Sequence, residues 1–275
     1  MRYELNAGYP TLMKAYVLGA REGSNNIGDH VALQLAEWGY RVFGDDGAIG
    51  DGSRPPGGNL PDDETAREHG YNVTDKGRYQ RFDAPSVADF QRADPDELVI
   101  TLGKTSKDHF AETKDYEVRE MLKANLILPL EAARRFVQAT KNQTGVEINR
   151  VRNIVFVGSY AHDHPFTNGT LYCTAKAGLN MAARALGWEL TDLGYRVHVV
   201  NPYHVNGTPM WAQVETDVMR SKGMSWEEAD AYNRKDLKMP DLLTPEEVAS
   251  VIKLLLTEPA MEWVTGPINL YGGSR

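Results

Sequence analysis

Tyr172 and Lys176 lie four positions apart in Tyr172-Cys173-Thr174-Ala175-Lys176. On a helix, that spacing puts a phenol and an ammonium on one face. A cation beside a tyrosine favours the phenolate and lowers a pKa that is ordinarily about 10. A phenol tuned in this way exchanges a proton with a carbonyl or an alcohol near neutral pH. Ser159 precedes Tyr172 by thirteen residues and follows the apolar run Asn153-Ile154-Val155-Phe156-Val157. Its hydroxyl can donate to an oxygen that gains negative charge.

A second constellation opens the chain. The run Ala15-Tyr16-Val17-Leu18 leads into Gly19-Ala20-Arg21-Glu22-Gly23-Ser24-Asn25-Asn26-Ile27-Gly28 and then a helical pattern. A glycine-rich turn between a strand and a helix lets backbone N–H groups approach a pyrophosphate, where the helix dipole favours an anion. Asp45 and Asp46 end the next strand, about twenty residues on. Asp46 is in the better register to accept hydrogen bonds from the hydroxyls of an adenosine ribose, and its charge would repel a 2′-phosphate. The cofactor expected is therefore NAD. NADP is the alternative, because Arg21 or Arg41 could meet a phosphate.

These residues need a frame. Apolar strands are expected at 15–18, 41–44, 98–101, 153–157, 196–200 and 268–270, and helices at 29–39, 121–139, 172–193 and 245–256. Thr244 followed by Glu246 and Glu247 reads as a helix start. Strands alternating with helices predict an α/β fold, a Rossmann-type doubly wound parallel sheet of about seven strands covered on both faces. Ser159 then falls at the C-terminal edge of the sheet, where such folds carry their ligands. The whole chain, 1–275, reads as a single nucleotide-binding domain. Residues 47–76 form a Gly-, Pro- and Asp-rich insertion, and 207–243 a substrate lid segment with Met210 and Trp211 at its start.

The formal net charge of −8 argues against nucleic acid as the main partner. The single cysteine, Cys173, rules out an intrachain disulfide. No apolar run approaches the length needed to span a bilayer. A cytoplasmic protein without membrane or metal partners is expected.

Taken in order, these features resemble the short-chain dehydrogenase/reductase family. The likeness runs from about Lys14 to Gly273 and includes the glycine turn, Asp83 in Phe82-Asp83-Ala84, and the helix Met121-Leu122-Lys123-Ala124-Asn125-Leu126. It also includes the Ser/Tyr/Lys set, the Asn201-Pro202 turn and the ending Thr265 to Gly273. The resemblance implies hydride transfer between a nicotinamide and a small carbonyl or alcohol substrate, with Tyr172 as general acid/base. Lys176 would bind the nicotinamide ribose and lower the tyrosine pKa. Ser159 would polarise the substrate oxygen, and Asn125 would hold a water in a relay to Lys176. Gly19, Gly23, Asn26, Ile27, Gly28, Asp83, Leu102, Gly103, Pro202 and Val205 would line the cofactor. His162, His204, Met210 and Trp211 would face the substrate. A homodimer or homotetramer is implied, partly through the Met121 and Tyr172 helices.

The chain also departs from that pattern. Ile100-Thr101-Leu102-Gly103 replaces the usual Asn-Asn-Ala-Gly, and Tyr203 replaces a glycine. The lengthened turn resembles that of enoyl-thioester reductases, but those enzymes separate their tyrosine and lysine by six residues, whereas three separate Tyr172 from Lys176. An enoyl-thioester reductase, and a dinucleotide-binding sensor or scaffold without turnover, are the alternatives to a ketone reductase or alcohol dehydrogenase. An epimerase or dehydratase would need a tighter turn and a longer C-terminal domain. On the Asp46 reading, NADH binds more tightly than NADPH in a fluorescence titration; a clear preference for NADPH overturns that assignment.

Overall fold

Strands buried on both faces need apolar side chains at successive positions, and the chain supplies such runs in Tyr16-Val17-Leu18, Leu98-Val99-Ile100 and Ile154-Val155-Phe156-Val157. The computed structural model describes residues 13–20, 25–44, 47–50, 84–105, 109–143, 150–235, 241–258, 261 and 264–271. The strands are β1 (Lys14–Leu18), β2 (Arg41–Gly44), β3 (Gly47–Gly50), β4 (Glu97–Ile100), β5 (Arg152–Val157), β6 (Tyr195–Pro202) and β7 (Gly266–Leu270). They form one seven-stranded sheet in the order β3-β2-β1-β4-β5-β6-β7. The pairings from β2 to β7 are all parallel, and β3 pairs antiparallel with β2. The first four residues of the expected insertion thus form an edge strand, while 51–76 lie outside the described residues.

Two apolar layers cover the sheet. On one face Phe90, Leu128, Ala132, Phe136, Leu179 and Ala183 pack against Leu18, Leu98, Ile154 and Val199. On the other, Val31, Leu35, Val248 and Ile252 pack against Val17, Val99, Val155 and Val200. The helices that bring them are α1 (Ile27–Glu37), α2 (Val87–Ala93), α3 (Asp115–Leu122), α4 (Leu128–Thr140), α5 (Thr170–Leu190), α6 (Pro209–Lys222), α7 (Trp226–Arg234) and α8 (Pro245–Thr257).

Their starts follow local chemistry. Thr244 caps α8 and exchanges hydrogen bonds with Glu247 in a capping box. Asn26 Oδ1 accepts the Asp29 N–H at the start of α1. Between α3 and α4 the helix continues through a π turn, Lys123–Ile127, which contains Asn125. Within 207–243, the segment expected to form a lid, the described residues include two helices, α6 and α7.

Charge gathers at the N-terminal edge of the sheet, away from the expected site. Arg152 is fully buried and donates to Asp94 Oδ1 at 2.7 Å, while Arg150 Nη2 meets Asp96 Oδ1 at 2.6 Å. Glu97, only 1% exposed, shares this edge. Burial pushes its carboxyl up to about 8, against a lesser opposing bond from Asn153. His198, fully buried with neither ring nitrogen bonded among the described residues, is pushed down to about 4 by the same loss of water.

The two groups act in opposite pH windows. Between 4.5 and about 8 the folded chain holds a proton on Glu97 that the unfolded chain releases, so stability falls as pH rises. Between about 4 and 6.5 the unfolded chain holds the extra proton on His198, so stability rises with pH. Glu97→Gln therefore flattens the loss of thermal stability from pH 6.5 to 8, measured as Tm; an unchanged slope contradicts the burial of Glu97.

Candidate active site

The C-terminal ends of β1, β4, β5, β6 and β7 bring the chemistry to one edge. Strand β5 ends at Val157 and hands the chain through Gly158 to Ser159, whose backbone is extended at φ −167° and ψ 152°. Helix α5 runs beside it and buries Tyr172 and Lys176. The Ser159 side chain neighbours the Tyr172 hydroxyl closely enough to favour its phenolate. Ser159 Oγ also accepts the Ala161 N–H at 3.2 Å.

Lys176 is 2% exposed. Its Nζ donates to the Val157 carbonyl at 3.1 Å and lies 5.8 Å from the centre of the Tyr172 ring. Loss of water lowers its pKa to about 8. The expected lowering of the tyrosine pKa is not what the geometry gives. Burial raises the Tyr172 phenol above 10.0, and the neighbouring Ser159 offsets only part of that rise. Near neutral pH Tyr172 is therefore a phenol with a proton to give, and Lys176 is the group that titrates closer to neutrality.

Asn125 is fully buried. Its Oδ1 accepts the Lys104 N–H at 3.2 Å, and its Nδ2 donates to the Lys104 carbonyl at 2.9 Å and to the Met121 carbonyl at 3.0 Å. These bonds make its side chain a clamp between the exit of β4 and the π turn. The clamp shapes the wall at Gly103, where an added Cβ would lie 3.3 Å from Asn125 Oδ1, 3.3 Å from Met210 Cε and 3.6 Å from Lys176 Nζ. Gly103, Asn125, Lys176 and Met210 are thus brought together.

The glycine turn is a bare backbone junction. A Cβ on Gly28 would stand 2.8 Å from Gly19 O, 2.8 Å from Ala20 N and 2.7 Å from Thr101 Oγ1. Gly19 itself has φ +94°, a conformation that glycine adopts without cost. Strand β1, helix α1 and the end of β4 can therefore meet only without side chains there, which leaves backbone beside the N-terminus of α1. That arrangement suits a dinucleotide pyrophosphate. Asn26 and Ile27 start α1 beside it, and Leu102, Pro202 and Val205 lie farther along the same sheet edge, at the ends of β4 and β6. Gly23, Asp46 and Asp83 lie outside the described residues.

The residues expected to face the substrate form two groups. His204 stacks on Tyr203 at 4.0 Å and meets Trp211 at 4.6 Å. Trp211 is 5% exposed, and its Nε1–H has no partner among the described residues, so it can donate to a bound molecule. It lines a cavity of about 310 Å³ with Asn206, Thr208 and Glu215. His162 belongs to the second group: its Nδ1 donates to the Ser159 carbonyl at 2.9 Å.

Several contributors carry no signal in the sequence motifs. Tyr271, just past β7, donates its hydroxyl to Asp163 Oδ1 at 3.2 Å and lies 3.3 Å from His162 Nδ1. Burial, and then the charge of Asp163, raise the Tyr271 pKa, so it stays a donor. Tyr160 packs edge-on against Tyr203 at 4.5 Å and Tyr271 at 4.7 Å, and stacks on His164 at 4.1 Å. Tyr203, the departure noted at the glycine position, is thus part of an aromatic wall beside Ser159. The one available hint was position: each of these residues follows a strand that ends at the same edge.

Four similarities to known proteins bear on the chain. A family model described as enoyl-(acyl carrier protein) reductase matches residues 20–271. An L-xylulose reductase from Caenorhabditis elegans is 30% identical over 123 residues, 44% of this chain and 44% of that one, so the match spans under half of that relative. A solved structure of an actinorhodin polyketide ketoreductase variant with NADPH is 25% identical, with a TM-score of 0.72, over 95% of this chain and 97% of that one. A 3-ketoacyl-(acyl-carrier-protein) reductase from Brucella melitensis, solved with NADH, shares the fold at 21% identity and a TM-score of 0.69, over 95% and 97% of the two chains.

Asn125→Asp tests the clamp. It sets a carboxylate oxygen against the Lys104 and Met121 carbonyls and leaves buried acceptors facing one another, at a cost of roughly 1–3 kcal/mol. A Tm several degrees lower is expected by differential scanning fluorimetry; an unchanged Tm refutes the clamp.

Proposed function

Because this chain belongs to the short-chain dehydrogenase/reductase family of oxidoreductases, we propose that it interconverts a small ketone and the corresponding alcohol with NAD(P), using Tyr172 as general acid/base. The observation that carries this reading is the Ser159 side chain beside the buried Tyr172 phenol, with the buried, titratable Lys176 on the same helix. Two neighbouring hydroxyls, one of them a phenol, make a paired donor for a single substrate oxygen.

A nicotinamide held there would supply or accept the hydride, which is the chemistry protein side chains lack. Gly19, Asn26, Ile27 and Gly28 would hold its pyrophosphate, while Leu102, Gly103, Pro202 and Val205 would flank the rest. In reduction, Tyr172 gives its proton to the carbonyl oxygen while Ser159 donates to the same oxygen. Lys176 then returns a proton toward Tyr172, a role suited to an ammonium whose pKa is pulled to about 8. In oxidation Tyr172 must first lose its proton, which burial opposes. Reduction should therefore decline as pH rises through about 8 and Lys176 loses its charge, and alcohol oxidation should gain over the same range.

A second reading, an enoyl-thioester reductase, draws on the description of the matching family model and on the lengthened turn. The short separation of Tyr172 and Lys176, with Ser159 on the phenol, favours the ketone. A sensor without turnover has no use for the full Ser159, Asn125, Tyr172 and Lys176 set. NAD is favoured over NADP on the Asp46 reading, and residues 207–243 supply the lid.

A homo-oligomer is also proposed. Tyr116 (50% exposed), Ile127 (45%), Met181 (60%) and Trp188 (90%) put large apolar groups on the helical run from α3 to α5. No described helix is long and apolar enough to cross a membrane.

Tyr172→Phe keeps the ring and removes the proton. Carbonyl reduction should fall at least about a hundredfold in a steady-state assay; near-normal turnover rejects the mechanism. Trp188→Glu should shift the protein to a smaller species by light scattering; an unchanged mass rejects this interface.

A further inference from the structure

We infer that Asn180, Asn201 and Asn269 are positioning residues that fix Ser159 against the catalytic helix. The inference rests on the reading of Ser159 given above. Asn201 is the penultimate residue of strand β6 and is fully buried. Its Oδ1 accepts two hydrogen bonds, from the Ser159 backbone N–H at 3.0 Å and from Asn180 Nδ2 at 2.9 Å. Its Nδ2 donates two, to Asn180 Oδ1 at 2.8 Å and to Asn269 Oδ1 at 3.0 Å. Asn180 is 4% exposed and lies one turn past Lys176 on α5, and its Nδ2 also donates to the Lys176 carbonyl at 3.1 Å.

The pair is a reciprocal amide dimer with its donors and acceptors used. In a buried setting such bonds are strong and an unmade one is costly, so one arrangement is held over others. The geometry explains Gly158. A Cβ at that position would lie 2.0 Å from Asn201 Oδ1 and 3.0 Å from Asn180 Nδ2. The amide pair fills the space that a side chain before the serine would need.

The consequence is mechanical. Ser159 leaves strand β5, while Tyr172 and Lys176 ride on α5, and the two elements have no covalent link near the site. Asn201 joins them through side-chain bonds to both, and Asn269 ties the same point to β7. Donor placement within about 0.5 Å is what proton transfer and oxyanion binding demand, and a small displacement can cost on the order of a hundredfold in rate.

Asn201→Asp tests this. It keeps the shape and replaces the Nδ2 donor with an oxygen that faces the acceptors of Asn180 and Asn269. The expected result is a kcat for carbonyl reduction lowered by about ten- to a hundredfold, with the Kd for NADH, read by fluorescence, changed by less than about twofold. The same substitution on a Ser159→Ala background should lower kcat by less than about twofold further, since the residue it positions is gone. Asn269→Ala, at the exposed end of the network, should give a smaller, several-fold loss with the same dependence on Ser159, and it serves if Asn201→Asp does not fold. An undiminished effect on the Ser159→Ala background, or an unchanged kcat in the Ser159 enzyme, overturns the inference alone. A Ser159→Ala enzyme with full activity overturns the reading of Ser159 and this inference with it.

Discussion

The site is organised around the burial of one ammonium. Lys176 Nζ has almost no contact with water and one carbonyl acceptor, Val157 O. Removing a cation from water is costly unless it is bonded or titrates, and here both occur: the bond holds Nζ to the last residue of β5, and the pKa drops to about 8. The bond also sets where α5 lies against the sheet. That placement brings Tyr172 to Ser159 and leaves Gly103 bare against Asn125 and Met210. The pairing of a phenol kept protonated with an amine kept near neutrality follows from the same desolvation acting on groups of opposite charge type.

The two edges of the sheet divide the labour. At the N-terminal edge, Arg150 and Arg152 pair with Asp94 and Asp96 and tie β4 to β5. At the C-terminal edge most of the polar groups are amides, phenols and imidazoles, set around the charges of Lys176 and Asp163. An edge that must stabilise a transient negative oxygen gains from donors already in place, because they need not reorganise during reaction. The aromatic wall of Tyr160, Tyr203 and Tyr271 adds rigidity beside Ser159.

Much of this was legible in the residues. Strands β1, β4, β5 and β6 are buried on both faces, so their apolar runs stand out, and α8 announces itself through Thr244 and Glu247. Strand β3 did not, because Gly47-Ala48-Ile49-Gly50 has neither an apolar run nor alternation. Helices α6 and α7 were hidden in a segment of mixed polar and apolar residues, where tertiary contacts such as Trp211 against His204 decide the fold. At the site, Ser159, Tyr172 and Lys176 could be placed from spacing and strand ends. The roles of Asn125 as a clamp and of Tyr271 as a donor could not, because both depend on partners distant in sequence: Lys104 for the first, Asp163 for the second. The rise of the Tyr172 pKa was likewise out of reach, since spacing reports a neighbouring charge and not the depth of burial.

The central claim is that hydride reaches a carbonyl carbon while Tyr172 protonates its oxygen. It is tested most directly with NADH deuterated at nicotinamide C4, supplied with a ketone and separately with an α,β-unsaturated thioester, and the products read by mass spectrometry and NMR. The account predicts deuterium on the carbinol carbon of the alcohol and none transferred to the thioester. Label at the β-carbon of the thioester, or oxidation of neither cofactor nor label transfer with any ketone or alcohol in a broad panel using NADH or NADPH, would contradict it.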